Sequence, residues 1–585
     1  MKPRHYLRNL PYALGGLCLL AAAWGLQFSI TGTAFIYSGA LSQSLPGALN
    51  FWLAYLLLIL PGALLLGYWA GPAVNTALSR TAAALDGLDV RTSVLLWVLL
   101  ACGAVLLADL GFREITAGYP LTDDEWVARF GGQILATGRL GVELDPADTL
   151  SPLRFTTPLA DGRITSFEWL GGQLAWAAAE LTGTEHLVFA LCAGLTLAFL
   201  GLAIAGHLNR IWGWFGVLLF LCSPMAVAIS VLTHTHTVAR LFVALAILAF
   251  VQTQCSRGRV WPFVLGLAIG GGVLSRPVEA GLLLAPLGLA LLWDAVRKQP
   301  LAARRLRWTI IGGIGPLLLL LWYQWAITGD PFSIPRFASG ATGDHHPLGT
   351  LLDRFGRNLS HNLLMLVLWF AGPIGLLLVV AGIGYGRPTR LLATGVGLLL
   401  LFALAHPVTG IHMVGPINYS ETVAPLLVIA SAGALRLSRW WKTQSPGPRW
   451  LPASVLTALV ISGTWFNVHS LSALHRQSQI HTNIFGAIEA QLDRFQTNRA
   501  LIFAPRYLAV WSNIEPFRAS GTYVYDWPRP NPDGSDRAVF VSGDRTGEEI
   551  QLALQAWPER TPFVLRTSQE PPWVRLVELD AAVSY

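Results

Sequence analysis

Three adjacent acids, Asp123, Asp124 and Glu125, open the segment DDEWVARFGGQILATGRL. A carboxylate there can act as a general base that takes the proton from an attacking hydroxyl, or it can bind a metal ion. The alternative is structural: Thr122 or Asp123 caps a helix whose first turn carries the acids, since negative charge near a helix N-terminus is stabilising. The residues alone leave both roles open.

Two histidines, His234 and His236, lie in the segment LTHTHTVAR. Residues two apart share a side only where the backbone is extended, and on a helix they diverge by about 200°. This spacing disfavours a metal pair. It favours one histidine that contacts an anionic group, with an ordinary interface histidine as the alternative.

An arginine and an acid, Arg276 and Glu279, lie in SRPVEA between two apolar runs. An arginine next to such runs is costly unless it is paired or binds something. It can pair with Glu279, three residues later, or its planar fork can hold a phosphate. Tyr419 and Glu421 stand in a similar place, at the mouth of a later apolar run.

The loop 328–361 carries further cationic side chains. The candidates in this loop for binding a phosphate or another part of the substrate are His345, His346, Arg354 and Arg357. Arg354 and Arg357 share a face if the segment is helical. They predict an anion site, with a solvated helix edge as the alternative.

The composition indicates where these side chains must be held. The chain of 585 residues is 53% hydrophobic and only 12% charged, and its mean hydropathy is +0.52. Average soluble domains are about 25% charged. The composition therefore excludes a disordered protein, a collagen and a disulfide scaffold, and it predicts that most of the chain lies in lipid. The net charge of +7 does not indicate nucleic acid, because the basic residues lie between the apolar runs.

Apolar runs of about twenty residues predict an all-α polytopic membrane protein with about thirteen transmembrane helices. The predicted spans are 10–30, 49–70, 92–110, 186–206, 211–231, 238–254, 260–275, 279–296, 308–327, 362–385, 391–405, 419–435 and 451–469. Basic residues precede the first run, so a cleaved signal peptide is the alternative to an uncleaved first helix. We expect the uncleaved helix.

The distribution of Lys and Arg predicts a cytoplasmic N-terminus and an outer C-terminus. With that orientation, the short loops 31–48, 232–237 and 406–418 lie outside, and none contains Lys or Arg. The long loops 111–185 and 328–361 then lie outside as well. Within the first, 166–182 predicts a helix at the membrane interface, with a fourteenth span as the alternative.

After residue 470 charges return, and β-rich runs alternate with helical ones at 500–504, 538–542, 547–556, 562–567 and 573–579. We expect a membrane domain over 1–470, with outer loops 111–185 and 328–361, and a small periplasmic α/β domain over 471–585. The five cysteines fall inside the spans or at a cytoplasmic end, so disulfides are not expected.

In this topology the acids, histidines and arginines all lie on the outer side. A base with several cations suits the transfer of a group from a lipid phosphate to a hydroxyl, because the cations stabilise charge that grows on the departing phosphate. Neither GxxxxGK[ST] nor a Rossmann fingerprint that opens a helix is present. A cytosolic nucleotide is therefore not the expected energy source, and no cofactor is expected.

An ordered set of segments resembles the bacterial GT-C type membrane glycosyltransferases of the family 39-like group, which are related to protein O-mannosyltransferases and to the enzyme that adds aminoarabinose to lipid A. The segments are DEWVARFGGQILATGRL, SPMAVAISVLTHTHTVARLFVALAILAF, GLAIGGGVLSRPVEAGLLLAPLGLALL, YQWAITGDPFSIPRF and HPLGTLLDRFGRNLSHNLLMLVLWFAGP. The resemblance implies a GT-C-like fold.

The resemblance also implies roles for the acidic run. Asp124 would be the catalytic base, Glu125 its usual neighbour and Asp123 an extra acid. The donor would be a polyprenyl-phosphate-linked sugar in the bacterial cytoplasmic (inner) membrane. The acceptor would be a protein, glycolipid or glycan. Transfer would be inverting and independent of metal.

The chain departs from the family pattern at two places. A Tyr-Pro-Pro-Gly-like stretch is replaced by 167–172, FEWLGG, and Gly-Pro-Arg-Tyr is replaced by 415–419, GPINY. Because the second change removes an arginine, Arg276 or Arg357 would have to carry more of the phosphate contact. The alternatives are a transporter or flippase and a non-catalytic binder of a lipid-linked sugar. Few acids in mid-span and the lack of an evident repeat disfavour the transporter.

Overall fold

The computed structural model describes most of the chain. The described residues are 8–31, 52–143, 156–159, 161–333, 348–406, 410–411, 414–444, 450–505, 510, 514, 527, 535–542 and 547–579. His345 and His346 lie outside them.

The protein is mostly helical. In chain order its helices are α1 (Leu10–Thr31), α2 (Trp52–Asp86), α3 (Val90–Ile115), α4 (Asp123–Ala136), α5 (Leu170–Thr182), α6 (Glu185–His207), α7 (Arg210–Leu221), α8 (Pro224–Ser230), α9 (Thr235–Cys255), α10 (Val260–Ser275), α11 (Pro277–Val296), α12 (Ala302–Thr328), α13 (Leu348–Phe370), α14 (Gly372–Gly382), α15 (Arg387–Leu404), α16 (Val423–Gln444), α17 (Leu451–Arg494) and α18 (Gly547–Ala556). A 3₁₀ helix, Ile417–Thr422, precedes α16.

The apolar runs form the helices that their composition predicts. Among the described residues, nine helices are long and apolar enough to cross a membrane, and two bent pairs meet the same criteria when each pair is taken together. The apolar helices at 10–25 and 260–275 are shorter. The predicted polytopic all-α membrane fold is therefore confirmed, while the count of thirteen spans stays a prediction.

Two predicted spans are bent rather than straight. The run 211–231 divides into α7 and α8, which meet at 72°, and 362–385 divides into α13 and α14, which meet at 95°. Gly372 has a left-handed φ of 64°, and a Cβ there would lie 2.6 Å from the Tyr55 hydroxyl. Glycine adopts such a φ without a steric penalty, so Gly372 allows the chain to change direction. Pro373 follows in the first turn of α14, a position that proline favours.

The loop between α3 and α6 contains secondary structure of its own. It holds α4, α5 and a three-stranded antiparallel sheet in the order β1-β3-β2, formed by Val142–Glu143 (β1), Thr156–Pro158 (β2) and Arg163–Ser166 (β3). Helix α5 packs against α4, α6, α9 and α10. Its Trp176 and the preceding Trp169 are both buried within the protein. The predicted location of 166–182 at a membrane interface stays a prediction.

Helix α17 joins the last span to the C-terminal α/β unit. It runs without a break for 44 residues, through the predicted boundary at 470. The sheet has the order β5-β4-β6-β7, with Ala500–Ala504 (β4), Ala538–Ser542 (β5), Thr561–Thr567 (β6) and Val574–Glu578 (β7). Strand β4 is parallel to β5 and β6, while β7 is antiparallel to β6.

Strand β4 is buried on both faces, as its apolar sequence ALIFA predicts. Successive side chains of a strand point to opposite faces. Accordingly Ile502 packs with residues of α17 that recur every four positions, such as Ile484 and Ile488, whereas Leu501 and Phe503 pack on the α18 side. The five cysteines are free.

Helix α17 also holds the segment that leads into the acidic run. Ser478 Oγ donates to the Ile115 carbonyl at 2.7 Å, and the rings of Tyr119 and Phe485 stack with centroids 5.6 Å apart. These contacts fix the chain just before α4.

Candidate active site

The acidic run begins α4, and Thr122 is its N-cap. Glu125 N donates to Thr122 Oγ1, and the Glu125 carboxylate accepts from Thr122 N, which is a complete capping box. The helix-capping interpretation of the acidic run is therefore correct for Thr122 and Glu125.

Glu125 does more than cap the helix. It is fully buried, its Oε2 also accepts from Leu121 N, and its Oε1 accepts from Thr233 N at 2.8 Å and Thr233 Oγ1 at 2.9 Å. Desolvation raises the pKa of this carboxyl, and these hydrogen bonds oppose the rise. These donors occupy its lone pairs and hold Glu125 between α4 and Thr233, and its predicted catalytic role stays a prediction.

The other two acids differ in access. Asp123 is buried, whereas Asp124 is partly exposed, with 21% of its side chain accessible. Asp124 Oδ2 lies 3.7 Å from His234 Nε2. Asp124 is therefore the acid of the three that a substrate can approach most readily.

The two histidines lie on one side of their segment. His234 is the N-cap of α9 with extended backbone (φ −81°, ψ 145°), and its ring centroid is 4.7 Å from that of His236. Because the backbone of His234 is extended, the two histidines, which are two residues apart, point to the same side. Both are fully buried, and His236 Nδ1 lies 2.6 Å from Glu421 Oε1.

Arg276 lies at the turn between α10 and α11, where Pro277 begins the second helix. It is 3% exposed, its Nη2 donates to Glu279 Oε1 at 2.9 Å, and its Nη1 lies 3.9 Å from Glu168 Oε2. Within the described part of the chain, its Nε and Nη1 make no hydrogen bond. The pair with Glu279 therefore leaves donors for a further ligand.

Sequence reasoning missed two buried charges in this cluster, Glu168 and Arg240. Glu168 Oε2 accepts from Thr235 Oγ1 at 3.4 Å and faces Arg276. Arg240 is fully buried in the second turn of α9. The sequence pattern that could have identified them is a charged residue inside an apolar run, because such a residue in a membrane protein indicates a functional site.

The 3₁₀ helix positions the last two predicted residues. Tyr419 and Glu421 are both buried, and the Tyr419 hydroxyl accepts from Asn362 Nδ2 of α13. Arg354 and Arg357 lie earlier on α13, where Arg354 is half-buried and Arg357 is exposed. The predicted anion site at these two arginines stays a prediction.

An apolar groove of about 520 Å³ begins next to this 3₁₀ helix. Its polar end has Tyr419, Asn358 and Asn362, and apolar side chains, most of them from α13 to α16, line the rest. Several lining leucines, among them Leu363 and Leu401, are exposed. In a membrane protein such side chains face lipid, so the groove is open to the bilayer.

No group of three or more His, Cys, Asp or Glu residues in the described ranges is placed to hold a metal ion. The cluster can supply one accessible carboxylate, two buried histidines and two buried guanidinium groups at one end of the helices. That set suits proton removal beside the binding of an anion.

Comparison with known proteins points to one fold. Residues 174–325, less than half of the chain, match the family model described as Dolichyl-phosphate-mannose-protein mannosyltransferase. No curated protein matches the chain.

Three solved structures are similar to the chain. ArnT from Cupriavidus metallidurans bound to undecaprenyl phosphate is 12% identical, with 83% of this chain and 98% of that chain covered and a TM-score of 0.51. ArnT in the apo state is 13% identical over 80% and 93% of the two chains, with a TM-score of 0.50. The apo oligosaccharyltransferase of Archaeoglobus fulgidus is 11% identical over 80% and 69%, with a TM-score of 0.41. At these identities the likeness to ArnT shows a shared fold.

Proposed function

From the premise that the chain has the fold of the GT-C type membrane glycosyltransferases, as its sequence predicts, we propose that it transfers a sugar from a polyprenyl-phosphate donor to a hydroxyl acceptor. The acceptor would be a protein, a glycolipid or a glycan. The protein would lie in the bacterial inner membrane, with the site and the 471–585 domain on the periplasmic side of the 1–470 domain. The similarity to ArnT bound to undecaprenyl phosphate supports the donor class.

One observation carries the proposal: an accessible carboxylate and a buried arginine with unused donors belong to the same cluster. Asp124 lies beside His234, and Thr235 next to it contacts Glu168, which faces Arg276. A base and an anion-binding group are the two parts that sugar transfer from a phosphate requires.

Asp124 would take the proton as the acceptor oxygen attacks the anomeric carbon. A bond forms between that oxygen and the carbon, the bond from the carbon to the phosphate oxygen breaks, and the electron pair leaves with the polyprenyl phosphate. Attack opposite the leaving group inverts the anomeric centre. Arg276 Nε and Nη1 would donate to the phosphate, where negative charge grows in the transition state.

The apolar groove supports a lipid-linked donor. Its polar end includes Tyr419, two residues from the Glu421 that contacts His236, so a chain lying in the groove would place its phosphate near the cluster. Isoprenoid units in the groove would be removed from water at about 25 cal/mol per Å² of apolar surface. His236, Glu279, Arg354 and Arg357 would help to bind the donor from neighbouring elements.

Replacement of Asp124 by Asn tests the proposal, because Asn keeps the shape and removes the base. We expect kcat with a labelled polyprenyl-phosphate sugar to fall by a factor of about 10²–10⁴. Asp161→Asn is the matched control, because Asp161 lies in a turn of the small sheet and pairs with Arg163.

An Asp124→Asn variant that transfers sugar at the wild-type rate would remove Asp124 from the chemistry. Wild-type protein that moves the labelled lipid across vesicles without transfer would instead support a transporter, and binding without transfer would support a non-catalytic binder.

A further inference from the structure

Arg240 carries a charge in an unusual place. It lies in α9, a predicted span, and none of its side chain is exposed. Its Nη2 donates to the Ala226 carbonyl and to Ser230 Oγ, each at 3.0 Å, and its guanidinium carbon lies 5.7 Å from the centroid of the Phe220 ring. Its Nε and Nη1 make no hydrogen bond within the described part of the chain. A buried charge persists when a group of opposite charge compensates it.

Glu421 is that group. Arg240 lies one helical turn after His236 on α9, on the same face, and His236 Nδ1 is 2.6 Å from Glu421 Oε1. The Glu421 carboxylate attracts both Arg240 and Arg276. Glu421 is itself fully buried and hydrogen-bonded to His236. A buried carboxylate therefore has two arginines from different segments, Arg240 on α9 and Arg276 at the turn between α10 and α11, and Arg276 is the group proposed to bind the donor phosphate.

The two arginines differ in how their guanidinium groups are held. Arg276 also faces Glu168 and Glu279 and has two unused donors, whereas Arg240 is fixed on α8 through Ala226 and Ser230. A phosphate bound to Arg276 would neutralise much of the positive charge that this arginine presents to Glu421. A carboxylate left without a cation in this setting would oppose that step, because an uncompensated buried charge is strongly destabilising.

We infer that Arg240 is a positioning residue: it stays as the permanent counter-charge of Glu421 and thereby allows Arg276 to bind the donor phosphate. This inference rests on the proposed function and adds a requirement to it. Donor affinity would depend on a residue that the donor does not touch. Removal of the Arg240 charge would leave Arg276 as the remaining arginine near Glu421 and would weaken its hold on the phosphate.

Arg240 also holds α8 through hydrogen bonds, and the effect of its charge can be separated from the effect of these bonds. Helix α8 leads through Val231 and Leu232 to Thr233, which binds Glu125, so loss of the Arg240 hydrogen bonds could loosen the acidic run. Arg240→Lys keeps the charge but loses the fork that reaches both Ala226 and Ser230. Arg240→Gln keeps some hydrogen bonding and loses the charge.

The experiment measures binding of labelled undecaprenyl phosphate to the full-length protein in detergent, together with donor and acceptor KM in the transfer assay. Arg240→Gln should weaken donor binding about tenfold, within the range for directly coupled groups, with little change in acceptor KM. Arg240→Lys should bind within about threefold of the wild type. Combining Arg240→Gln with Glu421→Gln should restore most of the donor affinity, because Arg276 is then released.

Arg305→Gln is the matched control: this half-buried arginine also binds backbone carbonyls, those of Gln254 and Ser256, away from the cluster. It should bind donor as the wild type does. Equal losses in Arg240→Lys and Arg240→Gln, or no recovery in the double variant, would refute the inference and leave only the mechanical contact. Wild-type protein that neither binds undecaprenyl phosphate nor transfers sugar would refute the proposed function, and the inference with it.

Discussion

Replacement of Glu125 by Gln separates a structural role from a chemical one. The Glu125 oxygens accept from three backbone N–H groups, those of Leu121, Thr122 and Thr233, and from the hydroxyls of Thr122 and Thr233. An amide has one oxygen, so its NH₂ group must face at least one of these backbone donors. A threonine hydroxyl can rotate and accept, but a backbone N–H cannot.

The smallest loss arises if the NH₂ group faces Thr233. One buried N–H then has no acceptor, which costs about 1–3 kcal/mol, and the remaining bonds lose the assistance of the carboxylate charge. A total of about 3 kcal/mol corresponds to about a hundredfold change in an equilibrium constant. We therefore expect the Thr233 amide to lose about a hundredfold of its protection against hydrogen exchange.

Hydrogen exchange measured by mass spectrometry on peptides that contain Thr233, alongside the transfer rate, checks this expectation. Glu185→Gln is a matched control, because Glu185 is partly exposed and its ion pair with Arg129 is expected to contribute no more than about 1 kcal/mol. A Glu125→Gln variant with wild-type protection at Thr233 but little transfer would refute the reasoning. That result would return Glu125 to the chemistry.

Two glycines give further predictions. Gly397 lines the groove, and a Cβ at this position meets no atom within 4 Å. Gly397→Phe should therefore fill the groove and weaken undecaprenyl phosphate binding at least tenfold. Gly288→Phe, at an equally open position on α11, should leave this binding unchanged. Equal affinity in both variants would exclude the groove. Gly372→Ala should lower the free energy of unfolding by about 1–3 kcal/mol, because position 372 has a left-handed φ and the new Cβ would meet the Tyr55 hydroxyl. The loss is measured as a lower thermal midpoint of unfolding. Adding Tyr55→Phe to this variant should recover part of the lost stability, and no recovery would leave backbone strain as the cause.

The sequence predicted the elements well where local patterns decide them. Apolar runs of span length became helices, and ALIFA at 500–504 became a strand buried on both faces. The cap at Thr122 was readable too, because a capping box needs only residues three apart. Residue type and a position at the end of an apolar run made His234 and Arg276 candidates, whereas the family resemblance singled out Asp124 from the acidic run.

What the sequence could not decide depended on contacts between distant segments. The acids of the 123–125 run look alike in one dimension, yet Thr233, 108 residues away, occupies the Glu125 carboxylate and leaves Asp124 as the accessible acid. Glu421 lies 185 residues from His236 and attracts Arg240 of α9 and Arg276 of the turn between α10 and α11. Local periodicity fixes which face of a helix is apolar, but the free energy of a buried charge depends on the groups that tertiary packing brings around it. For that reason the sequence determined the helices and the kinds of chemistry they could hold, and only the tertiary structure decided which of these side chains are buried, paired or accessible.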